Sequence, residues 1–142
     1  MAINPYIHFN GNAEEALGHY RDALGGDLQI LRFAGSPAEG CAPEGWGQKV
    51  LHGALQTNVG LILASDASTD QVSNPGDNME VAVQVDSEAE AERIFAKLAS
   101  GGAVTQPLTE TFFSPKFGML VDRFGIKWIV VTAVAAAAEQ AA

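Results

Sequence analysis

Two side chains of the types used in acid–base chemistry lie on predicted strands. His52 lies in the run Lys49–Ala54, and a neutral imidazole beside a pocket donates to or accepts from a carbonyl, phosphate or phenol. Glu80 opens a later strand, where a carboxylate among apolar strands would be desolvated and suited to act as a base. The alternatives are a hydrogen-bonded structural histidine and a solvated carboxylate at a strand end. We predict His52 and Glu80 as the candidate catalytic residues.

A group of aromatic residues and one amide has the composition of a ligand-binding wall. Aromatic walls suit a flat or apolar ligand, and a few polar groups then fix its orientation. The same aromatic residues also suit core packing or a dimer interface. We predict the ligand-binding residues to be Phe9, Trp46, Gln84, Phe112, Phe117 and Trp128.

Two other potentially reactive side chains are predicted to have no chemical role. His8 alternates with Ile7 and Phe9, so if Phe9 faces a cavity, His8 points towards the helix layer. Cys41 lies in a glycine- and proline-rich loop with no basic neighbour to activate its thiol. As the only cysteine, it also excludes an internal disulfide and a paired-cysteine metal or redox motif.

The charge balance excludes whole classes of partner. The 142 residues include 8 Lys and Arg against 17 Asp and Glu, a formal net charge of −9. Nucleic acids and anionic membrane surfaces need clustered cations, so neither is expected as a partner. No apolar run approaches the roughly 20 residues of a membrane span, and the start lacks the features of a secretion signal. We expect a cytoplasmic protein.

The elements that must position these residues occur in the same order in both halves. The first half predicts strand 5–9, a helix with Asn12 as its N-cap that ends at Gly25-Gly26, and strands 28–33, 49–57 and 61–65. The second predicts strand 79–86, a helix with a Ser87/Glu90 capping box that ends at Gly101-Gly102, and strands 104–112, 117–121 and 126–132.

Each half is therefore a βαβββ module, and the fold class is α+β. Such a module cannot close its own sheet, so two must cover each other or pair with another chain. We predict a single domain over residues 1–132, with modules at about 4–66 and 79–132, a curved mixed sheet whose concave face binds the ligand, and an alanine-rich tail at 133–142.

This order of elements, with several local motifs, resembles the vicinal oxygen chelate superfamily, the glyoxalase/bleomycin-resistance/dioxygenase fold. The residues that carry the likeness are Asn10–Leu17, Leu24-Gly25-Gly26 and Phe117–Gly125 with Trp128. These motifs are similar to those of the PhnB-like branch, which also has a histidine at the position of His52. The resemblance implies a homodimer. It is specific for the fold and not for a reaction, because this fold hosts many chemistries.

The resemblance also implies where a metal would bind. Metal-dependent members place His, Glu or Gln on the first, fourth, fifth and eighth strands, and the matching positions here are Pro5, Ala64, Glu80 and Ile129. Three of these four side chains cannot bind a metal, and a single carboxylate does not make a site. We therefore expect no metal and no cofactor.

The function we predict is binding of a hydrophobic or aromatic small molecule without a metal. Sequestration of a drug, by binding alone, would be one instance. A different hypothesis is an enzyme on the same fold, an isomerase, lyase or transferase that uses His52 or Glu80 as an acid–base group. A third is a divalent-metal lyase or dioxygenase whose ligands lie elsewhere, for instance His52 with Glu80.

Overall fold

The computed structural model describes residues 1–67 and 71–133. The chain divides into two compact units between Asn74 and Pro75. The predicted alanine-rich tail, apart from Ala133, lies outside the described residues. Among the helices of the described part, none is both long enough and apolar enough to cross a membrane.

The first unit contains one helix and a four-stranded sheet. Its elements are β1 (Tyr6–Phe9), α1 (Ala13–Leu24), β2 (Asp27–Arg32), β3 (Val50–Gln56) and β4 (Leu61–Asp66). The strand order is β1-β4-β3-β2, with β1 parallel to β4 and the other pairs antiparallel. The predicted long loop between β2 and β3 contains a single short 3-10 helix, Glu39–Cys41.

The second unit repeats this topology. Its elements are β5 (Val81–Val85), α2 (Glu88–Ala99), β6 (Ala103–Thr109), β7 (Phe117–Val121) and β8 (Lys127–Thr132). The order is β5-β8-β7-β6, again with one parallel pair at the β5 edge. The two mixed sheets with one helix each confirm the predicted α+β class and the βαβββ order.

Each helix buries one apolar face, but only α2 has its predicted side-chain cap. Ser87 caps α2, since its hydroxyl accepts a hydrogen bond from the Glu90 amide at 3.2 Å. Asn12 occupies the N-cap position of α1 but makes no capping hydrogen bond with its side chain. The Ala13 amide donates instead to the carboxylate of Asp66, at the end of β4, at 2.9 Å. Asn12 is therefore at the predicted N-cap position, but the carboxylate of Asp66, rather than the Asn12 side chain, accepts the capping hydrogen bond.

The first sheet has one face against α1 and one open face. A Cβ atom on Gly53 would lie 2.6 Å from Leu17 Cδ1 of α1, so this position faces the helix. Gly53 pairs with Ala64, and Ala64 pairs with Ile7 in β1. Because paired residues share a face and successive residues alternate, Ile7 also faces the helix.

This register reverses the orientation predicted for β1. Phe9 lies on the same face as Ile7 and is 4% exposed, so it belongs to the helix side. Tyr6 and His8 lie on the open face, opposite Leu63 and Ser65 of β4. The prediction that Phe9 faces the cavity while His8 faces the helix layer is wrong. A four-residue strand with large side chains on both faces carries no pattern that indicates its buried side.

The second sheet is arranged in the same way against α2. A Cβ on Gly118 would lie 2.7 Å from Phe95 of α2, so Gly118 faces the helix and its neighbours Phe117 and Met119 face away. Gln84 pairs with Val131, which also pairs with Phe117. Gln84 and Phe117 therefore share the open face of this sheet.

Candidate functional site

Four polar side chains meet on the open face of the first sheet, and we call them the histidine cluster: Tyr6, His8, His52 and Ser65. Tyr6 and His8 come from β1, Ser65 from β4 and His52 from β3. His8 pairs directly with Ser65. The β3–β4 register, in which Gly53 opposes Ala64, places His52 on the other side of Ser65. His8, Ser65 and His52 are therefore neighbours across the three strands, in one row of hydrogen-bonding side chains.

Each imidazole of the cluster is hydrogen-bonded to a hydroxyl. The Tyr6 hydroxyl lies 3.0 Å from His52 Nδ1, and the Ser65 hydroxyl lies 3.0 Å from His8 Nδ1. The Tyr6 ring lies beside both imidazoles, with centroid distances of 5.1 Å to His8 and 5.6 Å to His52. With both Nδ1 atoms engaged, Nε2 is the nitrogen that each ring has left for another partner.

Apolar side chains border the cluster on the same face. Leu31 on β2 pairs with His52 and is 52% exposed, and Leu63 pairs with Tyr6, which is itself 43% exposed. Ala54, two residues after His52, is half-buried. An apolar surface with a few convergent polar groups is the usual composition of a small-molecule site.

Of the predicted catalytic pair, His52 lies in this cluster, whereas Glu80 belongs to the second unit. Glu80 is exposed and precedes β5 by one residue, so the desolvation expected for it is not present. Tyr6 and Ser65 are not among the predicted site residues, and His8 is predicted to have no chemical role. The sequence does contain a signal for this pair. Tyr6 and His8 are two residues apart on a strand, so their polar rings share one face, whichever face that is.

The predicted aromatic residues of the first unit lie away from the histidine cluster. Phe9 is buried on the helix side of the sheet, as described above. Trp46 lies next to the turn before α1, where its ring would be 3.8 Å from a Cβ on Gly11. Neither Phe9 nor Trp46 therefore contributes an aromatic ring to the open face.

The predicted residues of the second unit are partly brought together. Gln84 and Phe117 share the open face, and Phe113 stacks edge-on against Phe117 with a centroid distance of 5.2 Å. Phe112 packs against Phe113 at 5.1 Å and is fully exposed. Trp128 differs from the others, because it is fully buried and its indole N–H donates to Asp122 at 2.9 Å. The placement of Trp128 is that of a core residue.

A polar cleft of about 570 Å³ lies at the start of α1, and its two cations, Arg32 and Lys49, are already hydrogen-bonded. Arg32 donates to both carboxylate oxygens of Glu14, at 2.7 and 3.0 Å, and Lys49 Nζ donates to the Gly11 carbonyl at 2.8 Å. The hydrogen bond from Arg32 lowers the pKa of Glu14, and this outweighs the desolvation that raises it. The same hydrogen bond raises the pKa of Arg32. Both cations of the cleft are therefore used in hydrogen bonds within the protein, and we assign them a structural role.

The residues do not fit the metal site of the superfamily. Of the matching positions, Pro5, Ala64 and Ile129 offer no side-chain donor, and Ala64 is buried. Within residues 1–67 and 71–133, no group of three or more His, Cys, Asp or Glu side chains is placed to hold a metal ion. We therefore derive no chemical step through a metal.

One family model matches almost the whole chain, and known proteins are similar to the chain over most of their length. A family model described as 3-demethylubiquinone-9 3-methyltransferase matches residues 1–131. Protein YjdN of Escherichia coli (strain K12) is 28% identical, over 92% of this chain and 94% of that protein. The crystal structure of protein PA1353 from Pseudomonas aeruginosa is 40% identical with a TM-score of 0.84, over 93% of this chain and 97% of that chain.

Two further structures agree with the fold. A PhnB protein from Bacillus cereus is 27% identical with a TM-score of 0.76, over 94% of this chain and 100% of that chain. A glyoxalase/bleomycin resistance protein from Albidiferax ferrireducens T118, 15% identical over 92% of this chain and 96% of that chain, has a TM-score of 0.62 and shows the fold alone. The chain therefore belongs to the PhnB-like 3-demethylubiquinone-9 3-methyltransferase family and has the glyoxalase/bleomycin-resistance fold.

Proposed function

We propose that the protein binds a small aromatic or alicyclic molecule against the open face of the first sheet, without a metal. The observation that carries the proposal is the hydrogen bond of 3.0 Å between the Tyr6 hydroxyl and His52 Nδ1 on an exposed sheet face. It holds an imidazole in a defined orientation next to apolar side chains such as Leu31. The ligand's ring system would contact the leucines, and one of its polar groups would hydrogen-bond to His52.

The family description supports an aromatic or quinonoid ligand, since it names 3-demethylubiquinone. The open face of the second sheet, with Gln84 and Phe117, offers a similar combination of an amide and an aromatic ring. We place the primary site on the first sheet because two imidazoles and a phenol converge there. The roles of Gln84, Phe112 and Phe117 in ligand binding stay predictions.

A thermal-shift screen with phenols, aromatic ketones and quinones tests the proposal. A compound present at a hundred times its dissociation constant stabilises the fold by about 2.7 kcal/mol. The substitution Leu31→Lys should abolish this shift, because it places a charge within the apolar border. Val59→Lys, at an exposed turn position away from the histidine cluster, is the matched control and should keep it.

Equal shifts in both variants would show that the ligand binds elsewhere. A metal-chelating agent should leave the shift unchanged if binding needs no metal. Loss of binding on chelation, restored by zinc, nickel or manganese, would contradict that part of the proposal.

A second candidate function, acid–base catalysis by His52, is favoured by the same hydrogen bond. A histidine whose Nδ1 is held by a partner keeps Nε2 in a fixed position for proton transfer. With a compound from the screen that the protein turns over, His52→Gln should lower the rate by about 10²–10⁴-fold and largely keep the affinity. Turnover that survives this substitution would exclude His52 as the acid–base group, and Glu80→Gln would then test the other predicted base.

A further inference from the structure

We infer that Tyr6 sets the tautomer of His52, so that His52 presents an Nε2–H donor and the site selects a ligand with a carbonyl oxygen. This inference rests on the proposed function and goes beyond it, because it specifies the chemical class of the group that His52 recognises. Tyr6 acts here as a positioning residue through its contact with Nδ1.

The direction of the hydrogen bond decides the chemistry of the imidazole. If the Tyr6 hydroxyl donates, Nδ1 carries no proton and the neutral ring must carry it on Nε2. If Nδ1–H donates to the phenol oxygen, Nε2 is an acceptor. The two arrangements place the heavy atoms alike and select opposite ligand groups, a carbonyl oxygen in the first and a hydroxyl or amine hydrogen in the second.

Donation by Tyr6 is the favoured direction on chemical grounds. A phenol is a good hydrogen-bond donor and a poor acceptor because its oxygen lone pair is delocalised into the ring, whereas the unprotonated imidazole nitrogen is a strong acceptor. Within the described part of the chain, His52 Nδ1 is the only hydrogen-bond partner of the Tyr6 hydroxyl. The phenol proton therefore has one protein acceptor to satisfy, and that acceptor is Nδ1.

The surroundings narrow the class of ligand further. Leu31 and Leu63 pair with the two members of the hydrogen bond, so the group that meets Nε2–H is attached to an apolar frame. The net charge of −9 opposes the approach of an anion at long range, which favours a neutral carbonyl over a carboxylate. A cyclic ketone with a hydrocarbon frame meets these requirements, because it is neutral, apolar and carries one carbonyl oxygen.

Long-range ¹⁵N–¹H NMR spectra of the imidazole groups test the tautomer directly. We expect the Nε2–H pattern for His52 in the unmodified chain at about pH 8, above the ordinary titration range of imidazole. Tyr6→Phe keeps the aromatic ring and removes only the hydroxyl, so His52 should become a mixture of tautomers. His8, whose Nδ1 is bonded to Ser65, should keep its pattern and serves as the internal reference.

Binding of a matched probe pair tests the selectivity. 1-Tetralone and tetralin share a frame and differ by a carbonyl group, and one net hydrogen bond corresponds to about a two- to tenfold difference in affinity. We expect 1-tetralone to bind more tightly by this factor, and the preference to disappear in His52→Ala. Tetralin binding should be little changed by that substitution.

Three results would overturn the inference: an Nδ1–H pattern for His52, an unchanged His52 pattern in Tyr6→Phe, or equal affinity for the two probes. None of these contradicts small-molecule binding as such, because the screen described above measures that separately. If neither probe binds, the NMR spectra still decide the tautomer.

Discussion

Asp66 connects three segments of the first unit through one buried carboxylate. Its Oδ1 accepts hydrogen bonds from the amides of Gly11 and Ala13, and its Oδ2 accepts one from the amide of Val50, all at 2.9 Å. Asp66 thereby caps α1 and also holds Val50, the first residue of β3, beside the end of β4. Amide donors of this kind are well satisfied by a carboxylate, which has only acceptor sites.

Replacing Asp66 by Asn should destabilise the protein strongly. The variant amide group has one acceptor oxygen, so its NH₂ would face at least one backbone N–H, and a buried donor would lose its partner. We expect a loss of about 3 kcal/mol in the free energy of unfolding, measured by urea denaturation. Asp27→Asn, at an exposed position of β2, is the control and should change stability little. Equal losses in both variants would contradict the capping role.

The ion pair between Glu14 and Arg32 predicts a pH dependence with a definite sign. Arg32 lowers the pKa of Glu14, so the pair contributes stability above the ordinary carboxyl pKa, and this contribution is lost as the pH falls through the lowered value. Glu14→Gln should therefore lower the melting temperature at neutral pH and have no effect in strong acid. Thermal melts of both proteins from about pH 7 to about pH 2 measure this difference.

The control for the ion pair is Glu15→Gln, the same change one residue along α1. Among the described residues Glu15 makes no ion pair, so its removal should not reproduce the pH-dependent difference. A difference between the unmodified chain and Glu14→Gln that persists unchanged into acid would contradict the assignment.

At the scale of elements, the end of α1 depends on a close approach to β3. Gly25 and Gly26 both have positive φ angles, of 75° and 107°, which favour glycine. A Cβ on Gly25 would meet open space, whereas one on Gly26 would collide with the carbonyl oxygen of Gln56. The second unit repeats the arrangement, because a Cβ on Gly102 would collide with the carbonyl oxygen of Val121.

Alanine substitutions at the two glycines therefore measure different costs: backbone strain alone at Gly25, and backbone strain together with steric overlap at Gly26. Gly25→Ala should cost about 1 kcal/mol, the strain of a side chain in the left-handed region. Gly26→Ala should cost about 3 kcal/mol or more, because β3 must also shift. Denaturant titrations of the two variants measure the costs, and a Gly25 variant as unstable as the Gly26 variant would contradict the close-approach explanation.

The predicted elements agree with the structure where a local signal specifies them. Ser87 and Glu90 lie three positions apart in the chain, and the cap that this spacing predicts for α2 is confirmed. The strand predicted at 104–112 instead runs from Ala103 to Thr109, because Thr111 and Ser114 form a turn with hydrogen bonds to each other. The ends of strands depend on this competition between strand pairing and local turn hydrogen bonds, and they are the hardest part of an element to predict.

At the scale of the whole molecule, we expect a homodimer, as the resemblance implies. Apolar side chains outside the proposed ligand site, such as Val104 and Phe113, are exposed in the single chain, and association would remove such surface from water. Sedimentation velocity should give about twice the chain mass of 14.9 kDa at micromolar concentrations. A single-chain mass that persists as the concentration is raised would contradict the expectation.

The sequence alone determined the architecture of this protein, and the tertiary structure decided the composition of its candidate site. The βαβββ order follows from local periods and glycine stops, which act between residues close in the chain. The capping of α1 by Asp66 and the contact of Tyr6 with His52 join residues 53 and 46 positions apart. Such pairs depend on strand register, and shifting a strand by one residue turns every side chain to the other face. For β1 the sequence pattern fits both faces, so packing against α1 selects the face that His8 occupies.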